Sequence, residues 1–187
     1  MDPEGLSIIY QDEHLVAVNK PAGLKVHRGW RDARRGPFLV PILRDQLGRL
    51  VYPLHRLDRP TSGVLLLGLS SEAARRMAAV FAARGVAKTY LAVVRGHLPA
   101  EGAVDHPLRR DAVDQSRHPD TQAARTLFRR LACAELPVAV SRYPSSRYSL
   151  AQVHPLTGRM HQIRRHLRHI AHPVIGDTIY GDGRHNR

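Results

Sequence analysis

The stretch VLLLGLSSEAARRMAAVFAARG, residues 64–85, constrains the fold more than any other part of the chain. It opens with branched apolar residues from Val64 to Leu69, the composition of a buried strand, and runs into alanine-rich sequence whose spacing predicts a helix. Ser70 or Ser71 suits the helix N-cap, because a serine oxygen accepts one of the amides that the first turn leaves unpaired, and Gly85 is the expected stop. Sheet and helix are thereby joined by a cap only a residue or two long.

Upstream, LSIIYQDEHLVAVNKPAGLKVH predicts strand 6–10, a turn at 11–13, strand 15–19, and a Pro21/Gly23 turn into a further extended piece. Residues 38–47 read as a helix that Gly48 ends. Further strands are expected at 89–94, 124–131 and 147–154. The last helix is expected at 157–170, with Thr157 as its cap and Met160, Ile163, Leu167 and Ile170 as its buried seam. Hairpins mixed with helices, without strict alternation, indicate an α+β fold and a single domain over residues 1–187. On the last helix Arg165 and Arg168 point away from the seam, while Arg164 stands about 90° from its centre, at the edge between core and solvent.

The formal charge of +13, from 29 basic against 16 acidic side chains, exceeds what solubility requires and points to a polyanionic partner, RNA or DNA first. The single cysteine, Cys133, excludes an internal disulfide and a cysteine zinc cluster; beside Leu131 and Ala132 it reads as a small core residue. No signal peptide and no run of membrane-spanning length are present, so a cytoplasmic protein is expected. Of the twelve histidines, His161, His166, His169 and His172 lie close together. Only His166 and His169 have same-face spacing and no His-Glu-x-x-His pattern occurs, so no metal site is expected.

The most unusual local string is HRLDRPTSG, residues 55–63, directly before the Val64 strand. An aspartate between Arg56 and Arg59 stays ionised at neutral pH, because a neighbouring cation favours the carboxylate. Taken alone, the string reads first as a surface ion pair followed by a Thr-Ser-Gly turn.

HRLDRPTSG resembles the catalytic motif of the RluA family of pseudouridine synthases. DEHLVAVNKPAGLKVH, KTYLAVVRG, TGRMHQIRRHL and HPVIGDTIYG are similar to further segments of that family, in the same order, from about Ile8 to the end of the chain. The resemblance implies an α+β catalytic domain with a mixed, mostly antiparallel sheet flanked by helices around a basic cleft, with no separate N-terminal RNA-binding domain. It also implies an RNA substrate, no cofactor and no membrane. Within the family, VHRGW, the region around HRLDRPTSG, and TGRMHQIRRHL most resemble the subgroup acting on uridine 65 of transfer RNA. An enzyme acting on ribosomal RNA shares the same residues, and a basic RNA-binding protein without catalysis fits composition alone. A monomer is expected.

Carried over residue by residue, the resemblance implies Asp58 as the nucleophile, Arg164 as the arginine that pairs with it, and Tyr90 as the tyrosine that stacks on the target base. Arg56 corresponds to the arginine that enters the stack a flipped nucleotide leaves, and Ile163 to a residue lining the uracil pocket. His55, Thr61, Arg159, His161 and Gln162 complete the expected substrate-binding set. Attack at uracil C6, attack at ribose C1′, and base elimination remain open as routes. Because a base inside a helical stem cannot be reached, the uridine must flip out, and contacts to the RNA backbone must offset the unstacking. Arg28, Arg31, Arg34, Arg35, Arg109, Arg110 and Arg117 are candidates for those contacts, or solvated surface. The family pattern usually continues with a further apolar segment containing Leu-His-Ala, whereas this chain ends at GRHNR; a shortened member and a truncated one are equally expected.

Overall fold

A computed structural model describes residues 5–28, 37–110, 120–140 and 142–186. Arg31, Arg34, Arg35 and Arg117, with Gly29 and Trp30 of VHRGW, lie outside the described residues. The chain divides into two compact units, Met1–Gly85 and Val86–Arg187.

In the first unit, strands β1 (Ile8–Gln11) and β2 (Leu15–Lys20) form an antiparallel hairpin. Asp12 sets its turn by accepting the amides of His14 at 2.8 Å and Leu15 at 2.6 Å. Helix α1 (Leu39–Leu47) follows and ends at Gly48, whose left-handed φ of 64° suits a residue without a Cβ. Strands β3 (Tyr52–Pro53) and β4 (Gly63–Gly68) and helix α2 (Ser71–Ala82) complete the unit, with sheet order β1-β2-β4-β3, antiparallel throughout. The two central strands contribute Val16, Val18, Leu65 and Leu67, and α1 contributes Leu39 and Leu43, all with no solvent exposure.

Ser70 is the N-cap of α2, its Oγ accepting the Ala73 amide at 3.1 Å. The expected stop at Gly85 shifts by one residue. Arg84, at φ 59°, is the left-handed residue, while the Gly85 amide closes onto the Val80 carbonyl at 2.9 Å and the Arg84 amide onto Phe81 at 3.1 Å. That pair of bonds satisfies two orphan carbonyls without requiring glycine at the strained position.

The second unit contains strands β5 (Tyr90–Arg95), β6 (Glu101–Asp105), β7 (Leu108–Arg109), β8 (Thr121–Gln122), β9 (Arg125–Leu136) and β10 (Ser146–Pro155) and helix α3 (Gln162–His169). Its main sheet has the order β5-β10-β9-β6, again antiparallel, and β7 pairs with β8 separately. The core is Val94, Leu98, Val104, Phe128, Ala151, Val153 and Leu167, against which Tyr90, Ile163 and Ile170 pack.

Three expectations for this unit are corrected. The last helix begins at Gln162, not Thr157, with left-handed His161 at its N-cap; the Thr157 hydroxyl instead serves Gln162 and the Arg125 amide. Its inner side carries Gln162 and His166 beside Leu167, whereas Met160 is exposed, because polar side chains with buried partners can replace apolar ones in a seam. Cys133 is exposed: β6 pairs with β9 only as far as Arg129, so the end of β9 has a strand on one side alone.

Candidate active site

In the first unit the candidate residues sit on the loop between β3 and β4. Leu57 is buried and anchors this loop, leaving Arg56 exposed and Asp58 half-buried on either side. The Asp58 carbonyl accepts the Thr61 amide at 3.0 Å, so the carboxylate is presented at the entrance of a tight turn. His55 has a positioning role: its Nε2 accepts the Leu66 amide at 3.1 Å and its ring stacks on Phe81 with centroids 5.5 Å apart.

Beneath that turn lies Lys20, at the end of β2, with no solvent exposure. Its ammonium donates to the carbonyls of Pro21 at 2.8 Å, Leu24 at 2.7 Å and Arg59 at 3.3 Å. The Arg59 carbonyl also accepts the Gly23 amide at 2.7 Å, and Arg59 Nε returns a bond to the Gly23 carbonyl at 3.0 Å. Burial pushes the Lys20 pKa down, and the negative charge of Asp58 opposes that shift. Sequence reasoning passed over Lys20; the signal was a lysine ending the apolar strand LVAVNK, immediately before a proline.

In the second unit Tyr90 opens β5 opposite Val153 of β10. Arg164 projects from α3 into a bidentate pair with Asp177, Nε to Oδ2 and Nη2 to Oδ1, both at 2.7 Å. Asp177 Oδ1 also accepts the amides of Ile179 at 2.9 Å and Tyr180 at 3.0 Å. Burial raises the Asp177 pKa, but the Arg164 hydrogen bond and the two amides outweigh it and bring it down to about 2. The Arg164 guanidinium lies 5.1 Å from the centroid of the Tyr180 ring, and the Tyr180 hydroxyl meets His161 Nδ1 at 3.1 Å. Asp177 and Tyr180 thus form the frame that aims Arg164 and His161. Neither was singled out from sequence, although both belong to HPVIGDTIYG.

The remaining candidates divide by how their polar atoms are engaged. Gln162 is buried, with Nε2 donating to the Arg125 carbonyl and Thr126 Oγ1 and Oε1 accepting from Thr157 Oγ1 and the Arg159 amide. All four of its hydrogen-bonding positions serve the fold. Arg159 Nε donates to the Ala123 carbonyl at 3.1 Å. His166 has no exposure, and its Nε2 meets the His106 carbonyl at 3.0 Å and its Nδ1 Thr126 Oγ1 at 2.9 Å. A carbonyl can only accept, which assigns the proton to Nε2 and makes this histidine a strut between β9 and α3. His169 stacks on His106 at 3.8 Å, and His172 Nδ1 donates to the Arg95 carbonyl at 2.8 Å. Arg28, Arg109 and Arg110 are exposed.

Residues 14–169 match the model of the RNA pseudouridylate synthase family. The chain belongs to that family. Proteins called tRNA pseudouridine synthase C are similar to it: one from Pectobacterium carotovorum is 54% identical across 97% of this chain and 50% of its own length. Another, from Vibrio vulnificus, is 49% identical across 97% of this chain and 76% of its own length. The chain thus spans half of the first relative and about three quarters of the second. Among solved structures, human RNA pseudouridylate synthase domain containing 1 is similar, with a TM-score of 0.78 at 28% identity over 98% of this chain and 74% of that one. Human RNA pseudouridylate synthase domain containing 4 has a TM-score of 0.71 at 30% identity, over 95% and 69%. Asp58, Tyr90 and Arg164 all fall within the span matched to the pseudouridylate synthase family. Asp177 and Tyr180 follow it.

Proposed function

We propose that the chain is a transfer RNA pseudouridine synthase that isomerises uridine 65, working as a cytoplasmic monomer with residues 1–187 as its catalytic domain. The observation that carries this reading is the family match across residues 14–169, together with the half-buried aspartate on a turn braced by a buried ammonium. In the reaction the bond from ribose C1′ to uracil N1 breaks and one from C1′ to C5 forms. C5 then loses its proton and N1 gains one, so nothing is oxidised and no group leaves the RNA. Asp58 supplies the nucleophile that opens this exchange. Tyr90 offers a ring to the flipped base, Ile163 lines its pocket, and Arg164, aimed by Asp177, supplies the catalytic guanidinium. Arg56, exposed on the same loop as Asp58, has the flat cation suited to occupying the gap in the RNA stack.

The test uses transcripts tritiated at uracil C5. Parent protein releases tritium from unmodified transfer RNA, and Asp58→Asn releases none while retaining RNA affinity; turnover by that variant would remove the nucleophile assignment. Chemical mapping on transfer and ribosomal RNA then locates the product, and a ribosomal site alone would replace the target.

A further inference from the structure

The second unit carries a groove of about 1020 Å³ at the opposite end of β5 from Tyr90. The two ends lie five residue steps apart along the strand, about 17 Å. Arg95, Arg142, Tyr143, Arg147, Arg184 and His185 are among the residues that line it. Four arginines line it against the single carboxylate of Asp182. Two of them are held in place, Arg95 by Asp182 and Arg147 by Glu135 at 3.1 Å. Even with both acids counted, the cations outnumber the anions by two.

The aromatic chemistry of the groove narrows the kind of polyanion. Arg142 sits 5.1 Å from the Tyr143 ring centroid and donates to its hydroxyl at 3.0 Å, while Tyr143 keeps 58% of its surface exposed. The hydroxyl of Tyr148 meets Nδ1 of the lining residue His185 at 3.0 Å and fixes its imidazole. Arginines alone suit any polyphosphate. An exposed ring with a guanidinium beside it suits a nucleotide, whose base can stack while its phosphate takes charge-assisted bonds.

We propose that this groove is a second RNA-binding site, which takes a stacked base and its phosphate from the RNA substrate at a distance from the reacting uridine. The inference rests on the RNA-modifying reading above and extends it to a surface that the chemistry does not use.

The test is a fluorescence titration of unmodified transfer RNA transcript against the full chain at several salt concentrations, with tritium release measured in parallel. Arg142→Ala and Tyr143→Ala each weaken binding about five- to tenfold, and the loss falls on the RNA concentration that half-saturates tritium release. Arg142→Ala lowers the slope of log affinity against log salt by about one, whereas Tyr143→Ala leaves the slope in place. Tyr143→Phe, which keeps the ring face, binds within about twofold of the parent. Parent-like affinity and slope in both alanine variants would overturn the site. A Phe variant as weak as the Ala variant would overturn the stacking and leave only a brace between Tyr143 and Arg142. If the parent releases no tritium, the enzymatic reading fails, and the affinities still decide the groove.

Discussion

Replacing Asp177 by asparagine removes the charge that Arg164 faces while keeping the shape of the site. The Asp177 side chain is only 3% exposed and that of Arg164 12%, so water compensates little. The asparagine amide turns an N–H toward one of the guanidinium donors, and a largely buried cation loses this carboxylate. Breaking a buried pair in this way costs about 3–5 kcal/mol near neutral pH. Acid narrows that difference. The Asp177 pKa falls from an ordinary 3.8 to about 2 in the fold, despite burial, which raises it, because the Arg164 hydrogen bond and the Tyr180 and Ile179 amides outweigh burial. The folded carboxylate therefore binds its proton more weakly than the unfolded one, and its contribution is present above pH 3.8 and lost as pH falls toward 2. At about 1.4 kcal/mol for each pH unit, the loss is roughly 2.4 kcal/mol. Urea unfolding of parent and Asp177→Asn, measured at intervals from pH 6 to pH 2, should show the stability gap shrinking by about 2 kcal/mol across the acid range. A gap that stays constant with pH would refute the claim that this carboxylate is held ionised by Arg164.

Lys20→Met should destabilise the first unit by about 2–3 kcal/mol, since the buried Leu24 carbonyl and the part-buried carbonyls of Pro21 and Arg59 lose a common donor, and should slow tritium release by loosening the Asp58 turn; parent-like urea midpoint and rate would remove its bracing role. Arg84→Gly should raise stability by about 0.5–1 kcal/mol, because Arg84 occupies a left-handed conformation that glycine adopts without strain; a lower melting temperature would show that its side chain contributes more than its backbone costs.

Much of the fold was readable along the chain. The strand, serine cap and helix of residues 63–82 and the Gly48 stop all followed from neighbours within a few positions. So did the hairpin at Asp12. The same local reasoning located HRLDRPTSG and placed Arg164 at a helix edge. It went astray where a residue's surroundings come from distant sequence. Thr157 looked like a cap, yet its hydroxyl serves Gln162 and Arg125; Cys133 looked like core, yet β6 stops short of it.

Sequence by itself determined the strand and helix periods, the basic character and the order of the family's motifs, because each depends on side-chain type and short spacing. Only the tertiary structure decided which charges are buried and what holds them: Lys20 against the carbonyl of Arg59, 39 residues away, and Arg164 against Asp177, 13 residues away. An ion or amide removed from water must find its partners in three dimensions, and chain folding, not proximity in sequence, brings those partners within 3 Å or so.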